Sequence, residues 1–95
     1  MIFVEQHTTD MAFEQKLVKE VCIVRRSPKE WYFTFLVADP TNAGQTLTYA
    51  VKTQRGALRT WSDPRTLFAY LDDRYGVVSG TFTLSEETHE HSGSP

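Results

Sequence analysis

Alternating apolar and polar residues in the middle of the chain predict a series of short β-strands. The run 21–26, VCIVRR, is rich in β-branched residues. The run 31–37, WYFTFLV, is apolar almost throughout, which indicates a central strand covered on both faces. Residues 46–53 alternate, so that Leu47, Tyr49 and Val51 share one face. Turn-forming residues separate these runs.

A hairpin is predicted to follow the third strand. Gly56 stands where a tight hairpin needs a left-handed residue, and residues 57–61 then form a short return strand. The four strands together predict an antiparallel β-meander.

The clearest helix signal lies after this meander. Asp63 supplies a capping side chain immediately before Pro64, a residue favoured at the first helical position. Leu67 and Leu71 follow at helical spacing, and Gly76 ends the helix as a C-terminal cap.

A final strand is predicted over residues 77–84, where Gly80 indicates a bulge or a sheet edge. With the helix packed on one face of the sheet, residues 13–85 form a single two-layer α+β domain.

The two ends of the chain carry weaker patterns. Residues 1–12 are expected to be loosely ordered, with a short strand over Ile2, Phe3 and Val4 as an alternative, and Met11 is a second candidate start position. Residues 11–20 fit either a short helix capped by Asp10 or a strand. The polar residues 86–95 are expected to form a disordered acidic tail that contains two histidines.

Charge is unevenly distributed along the chain. The net charge of −2 argues against a strongly basic nucleic-acid binder and against an acidic mimic of DNA. Residues 19–78 nevertheless carry nine basic and six acidic side chains, so a mildly basic body has acidic ends.

Alternate turns of a meander lie at the same end of its sheet, which predicts a basic rim. In this arrangement the helix starts at the opposite end and brings Arg74 back towards the rim. A group of cations at one end of a small domain suits contact with phosphates, so we expect a nucleic-acid-binding module. The residues of the basic rim are Arg25, Arg26, Lys29, Lys52 and Arg55.

An alternative function is a protein-interaction or inhibitor module. One helix covers only one face of a sheet, so aromatic side chains on the other face would need a partner. The candidate partner-binding residues are Trp31, Tyr32 and Phe33. A homodimer formed by strand addition at an exposed edge is one form of this alternative.

No enzyme, metal or cofactor is predicted. The histidines lie at positions 7, 89 and 91, outside the strand and helix pattern that could hold a general base. The pair at 89 and 91 is a poor metal site, and no phosphate-binding loop occurs. Cys22 lies in an apolar run and cannot form an intrachain disulfide, which favours the cytoplasm. We also expect no membrane association.

Residues 51–56 and 59–71 resemble a sheet-then-helix step found in short accessory proteins of bacterial plasmids and integrative elements. The order of four strands followed by a helix is also similar to that of single-stranded-DNA-binding coactivator domains. These resemblances imply a nucleic-acid-binding accessory protein of a bacterial plasmid or mobile element.

Overall fold

Five strands and two helices follow one another along the chain in the computed structural model, which describes residues 1–85. The elements are β1 (Ile2–Val4), α1 (Gln6–Glu14), β2 (Val18–Ser27), β3 (Glu30–Ala38), β4 (Thr46–Val51), α2 (Pro64–Tyr75) and β5 (Thr81–Thr83). Neither helix is long and apolar enough to cross a membrane. The predicted tail, residues 86–95, lies outside the described residues.

All five strands belong to one mixed sheet with the order β1-β4-β3-β2-β5. The strands β2, β3 and β4 form an antiparallel meander, and β3 is central, as its apolar sequence predicted. The two short edge strands are both parallel to their neighbours: β1 pairs with β4 and β5 pairs with β2. The predicted α+β fold is therefore confirmed, with parallel edge strands added to the meander.

The chain after β4 does not form a fourth meander strand. It contributes two isolated bridges, one between Lys52 and Leu58 and one between Trp31 and Trp61. The backbones of Trp31 and Trp61 exchange two hydrogen bonds of 2.8 and 2.7 Å beside the start of β3. As a result, α2 begins at the end of the sheet where the β2–β3 turn lies, which is opposite to the end expected from the sequence.

In place of the loosely ordered segment predicted for residues 1–12, the structure has β1 and most of α1. The ambiguous residues 11–20 divide between the end of α1 and the start of β2. Asp10 lies inside α1, whose N-cap is Glu5. Ala12 is buried in the core, so contacts with the rest of the domain stabilise a helix that its local sequence supports weakly.

The predicted caps of α2 are both present. Asp63 accepts a hydrogen bond of 2.8 Å from the backbone N–H of Arg65, and Pro64 occupies the first turn. Gly76 has a φ of 69°, and its N–H donates to the carbonyl oxygen of Asp72. These local interactions fix both ends of the helix.

The core lies between the helices and one face of the sheet. Phe33 and Phe35 from β3 are 1% and 0% exposed, and they pack in one cluster with Leu67 of α2. On the opposite face, Tyr32 and Ala50 are also buried. Both helices pack on the Phe33 and Phe35 face, so β3 is central in the sheet but is covered by helices on one face only, in contrast to the prediction.

Candidate interaction surfaces

An apolar groove lies between α2 and the edge strand β5, on the helix-covered face of the sheet. Its volume is about 530 Å³. Val21 and Ile23 of β2 line it, together with Phe68 and Leu71 of α2. The groove exists because the helices cover the middle of the sheet and leave the β2–β5 side partly open.

Four large apolar side chains around this groove are exposed to solvent. Phe68 is 52% exposed, Val78 87%, Phe82 70% and Leu84 46%. Exposed side chains of this size cover on the order of 400 Å², within the range of the largest apolar patch on a typical monomer. The largest apolar patch on a monomer is often a functional surface.

Gly80 holds the far wall of the groove close to β2. A Cβ atom at this position would lie 2.6 Å from the carbonyl oxygen of Val21, which is closer than a real Cβ contact allows. The sequence predicted a bulge or a sheet edge at Gly80. In the structure, the glycine lies beside the edge strand β5, where its backbone closely approaches β2.

Polar contacts hold both ends of β5 beside β2. Just after β5, Arg25 Nε donates a 3.0 Å hydrogen bond to the carbonyl oxygen of Leu84. At the start of β5, Glu20 Oε2 accepts a 3.4 Å hydrogen bond from the Thr81 hydroxyl. Glu20 follows Lys19 and lies on the sheet face opposite the groove.

The sheet register places both turns of the basic rim at one end, as the sequence predicted. The β2–β3 turn carries Lys29, and β3 then runs away from it and β4 returns, so Lys52 lies at the same end. Within residues 1–85, none of the five rim cations forms an ion pair. The Trp31–Trp61 bridge lies between the two turns, which therefore share an end of the sheet without direct contact.

Arg74 does not reach the basic rim, in contrast to the expectation from the sequence. It donates hydrogen bonds of 2.9 and 2.7 Å to the two carboxylate oxygens of Asp10 in α1. The helix α2 begins at the end of the sheet that carries the basic rim, so its C-terminal end lies away from the rim and against α1. This placement accounts for the difference.

This ion pair belongs to a helix-bridging network, whose members are Gln6, Asp10, Arg59, Tyr70, Arg74 and Tyr75. Gln6 Nε2 donates to Asp10 at 3.0 Å, and the Tyr75 hydroxyl donates to the same oxygen. The hydrogen bonds from Arg74 hold the pKa of the Asp10 carboxyl well below its ordinary value. Burial raises the pKa of the Tyr75 phenol, and its bond to Asp10 raises it further.

The remaining members extend the network to the segment before α2. Arg59 Nη1 donates to Gln6 Oε1 at 2.7 Å, and the Tyr70 hydroxyl donates to the same oxygen at 2.9 Å. The Arg59 guanidinium also lies over the Trp61 ring, 4.6 Å from its centroid. Because these polar groups bind one another, the network fastens α1 to α2.

The predicted partner-binding residues occupy different environments. Phe33 is 1% exposed in the core and Tyr32 is 5% exposed on the other face, so neither side chain is presented to a partner. Trp31 is half-buried, lines the apolar groove, and donates from Nε1 to the carbonyl oxygen of Pro28 at 3.3 Å. Of the three, only Trp31 contributes to an accessible surface.

No group of three or more potential metal ligands occurs among residues 1–85. Cys22 is half-buried in β2, and His7 lies in α1. The histidines at 89 and 91 lie outside the described residues.

Sequence reasoning missed both the apolar groove and the helix-bridging network. The first contains side chains from positions 21–84, and the second from positions 6–75, so only the tertiary fold brings them together. The exposed Phe82 was the one local signal, because an aromatic residue on a predicted edge strand has little to cover it.

Comparison with protein families, with curated proteins and with solved structures found no match for this chain.

Proposed function

We propose that the protein is a non-enzymatic module that binds a protein partner through the apolar groove. The observation that carries this proposal is the convergence of Phe68, Val78, Phe82 and Leu84, all exposed, on one concave surface. The single cysteine, Cys22, supports a reducing compartment, and we propose the cytoplasm.

The groove combines the features of a protein-binding hot spot. Its aromatic side chains provide anchors that lose little conformational freedom on binding, and its buried floor supplies apolar contacts. This surface also adjoins a strand edge, which was one of the two partner-binding sites expected from the sequence.

Site-specific photo-crosslinking tests this function. A benzophenone amino acid replaces Phe82 in the cells that produce the protein, and the control carries it at Thr46, which is exposed at the start of β4. We expect a covalent adduct to a polypeptide from position 82 and not from position 46. Phe68→Asp should remove the adduct, because it places a charge in the same groove. Equal adducts at both positions, or none at position 82, would contradict the proposal.

The basic rim favours nucleic-acid binding as a second candidate function. Its five cations share one end of the sheet and form no ion pair within residues 1–85, and Arg25 also donates to the carbonyl oxygen of Leu84. Unpaired cations grouped at one end suit contact with phosphates. An accessory role in a bacterial plasmid or mobile element belongs to this candidate and is supported only by the sequence resemblance of residues 51–71.

Salt dependence tests this second candidate. If all five cations contact a single strand, affinity for a fluorescent oligonucleotide should fall about 100-fold between 50 and 200 mM salt. The double variant Arg26→Ala/Arg55→Ala should weaken binding and flatten this dependence. The matched control, Lys16→Ala/Lys19→Ala, removes two cations near the start of β2 and should bind normally. Affinity that is insensitive to salt excludes phosphate contact by the rim.

A further inference from the structure

The last described strand leads the chain to the basic rim. The strand β5 runs parallel to β2, and Thr83 is in register with Val24, so both strands point towards the β2–β3 turn. Directly after β5, the carbonyl oxygen of Leu84 accepts the 3.0 Å hydrogen bond from Arg25 Nε. The backbone that precedes residues 86–95 is therefore already in contact with one cation of the rim.

Residues 86–95 carry the opposite charge to the rim, and we call them the acidic tail. They contain the three glutamates Glu86, Glu87 and Glu90 and no lysine or arginine. Lysine and arginine pair with carboxylates as they do with phosphates. The acidic tail therefore offers the rim the same kind of contact as the backbone of a nucleic acid.

The rim end of the sheet is positive even when its own carboxylates are counted. These carboxylates are Glu5, just after β1, Glu30, at the start of β3, and Asp63, just before α2. Asp63 pairs with Arg65 at 2.9 Å, so two carboxylates remain beside the five cations of the basic rim. An excess of positive charge is therefore left to attract an anion.

The acidic tail is long enough to cover the rim. In the sheet order, β4 lies three strand spacings from β5, which is about 14 Å at the usual spacing of about 4.8 Å. Glu90 is five residues beyond Ser85, and an extended chain of that length spans about 17 Å. Glutamates of the tail can therefore reach both turns of the rim, including Lys52 just after β4.

We propose that the acidic tail folds back onto the basic rim and competes with nucleic acid for it. The inference rests on the second candidate function, nucleic-acid binding by the rim, and adds its regulation. Because the tail belongs to the same chain, its effective concentration at the rim is on the order of millimolar. Each ion pair between exposed groups is weak, so the tail lowers the affinity for nucleic acid without abolishing binding.

Neutralising the tail in the full chain tests this competition. The tail variant, Glu86→Gln/Glu87→Gln/Glu90→Gln, removes three charges and keeps the size of each side chain. We expect it to bind a fluorescent single-stranded oligonucleotide about tenfold more tightly than the wild type at 50 mM salt, as three weak ion pairs would give. The gain should shrink at 200 mM salt, because salt screens the contacts between the tail and the rim.

The matched control removes three carboxylates from the other end of the domain. Glu14, Asp72 and Asp73 are exposed towards the ends of α1 and α2 that lie away from the rim. The variant Glu14→Gln/Asp72→Asn/Asp73→Asn changes the net charge by the same amount and should bind within about twofold of the wild type. Equal gains in the two triple variants would overturn the inference, since net charge alone would then explain them.

Carbodiimide crosslinking detects the contact in the absence of nucleic acid, because it joins a carboxylate to a lysine amine that touches it. We expect links within one chain from the tail to Lys29 and Lys52, and fewer to Lys16 and Lys19 near the start of β2. An excess of oligonucleotide should suppress the links to the rim. Links spread evenly over the four lysines would contradict a specific contact.

The binding measurement separates this inference from the function on which it rests. Salt-dependent binding that is equal in the wild type and the tail variant would exclude the competition and leave nucleic-acid binding by the rim intact. If neither protein binds an oligonucleotide, the nucleic-acid-binding function fails and the competition fails with it.

Discussion

The Arg74 guanidinium donates two hydrogen bonds, of 2.9 and 2.7 Å, to the Asp10 carboxylate, and so ties the end of α2 to the middle of α1. Asp10→Asn removes the charge and keeps the size of the side chain. We expect a loss of about 1 kcal/mol in the free energy of unfolding, because both partners are more than a third exposed and water screens the ion pair. Urea denaturation at neutral pH measures this loss. The control, Asp72→Asn, changes an exposed carboxylate on α2 and should have little effect.

The same carboxylate makes stability depend on pH. The folded state lowers the pKa of Asp10 below its ordinary value of 3.8, so the charged form stabilises the fold at any pH above that value. Stability from this group is lost as the pH falls below 3.8 towards the lowered pKa. The stability difference between the wild type and Asp10→Asn should therefore be constant above about pH 5 and shrink in acid. A difference that stays constant down to pH 2 would exclude this linkage.

Tyr75 contributes both a hydroxyl and a ring to the contact between the helices. Its ring stacks on Phe13 with centroids 4.0 Å apart, and its hydroxyl donates to Asp10. Tyr75→Phe keeps the stack and should cost about 1 kcal/mol, whereas Tyr75→Leu should cost about 1 kcal/mol more. Thermal unfolding monitored by circular dichroism separates these two losses. Equal losses of stability in Tyr75→Phe and Tyr75→Leu would mean that the ring stack on Phe13 does not stabilise the fold.

Phe35 and Phe82 are both strand phenylalanines, but only the first is enclosed. Phe35 is 0% exposed, so Phe35→Ala should destabilise the domain by about 3–5 kcal/mol through lost burial and a cavity. Phe82 is 70% exposed, so Phe82→Ala should change the stability of the monomer by at most about 0.5 kcal/mol. Denaturation at concentrations that keep both variants monomeric compares them. A large effect of Phe82→Ala would show that its side chain belongs to the core.

Gly80 should not tolerate a side chain. In Gly80→Ala the new Cβ meets the backbone oxygen of Val21, so β5 must move away from β2. We expect a cost of about 1–3 kcal/mol and faster amide hydrogen exchange in residues 81–83. Ser79→Ala, at the neighbouring exposed position, is the control. Unchanged exchange in Gly80→Ala would contradict the close approach.

The elements predicted correctly are those whose signals are local. The helix α2 has its N-cap, its proline and its glycine cap within a few residues of its ends, so Asp63 and Gly76 identify it without knowledge of the fold. The central position of β3 agrees with its nearly continuous apolar sequence, although only the face that carries Phe33 and Phe35 packs against the helices.

The pairings that were not predicted join residues that are distant in the sequence. The strand β1 has three residues, and its pairing of Ile2 with Tyr49 is invisible to any local pattern. One backbone pairing, between Trp31 and Trp61, makes α2 begin at the end of the sheet opposite to the one expected. Because that pairing replaced a fourth strand, the sequence placed Arg74 at the wrong end, while the two turns of the basic rim were placed correctly.

The parallel pairing of both edge strands has a consequence for the order of folding. The β2–β3–β4 meander closes through short turns, whereas β1 and β5 each require residues far apart in sequence to meet. Contacts between distant residues form late, because the chain must first lose the entropy of a long closed loop. During synthesis, residues 2–4 therefore emerge before residues 49–51 and can pair with them only after that segment has also been made.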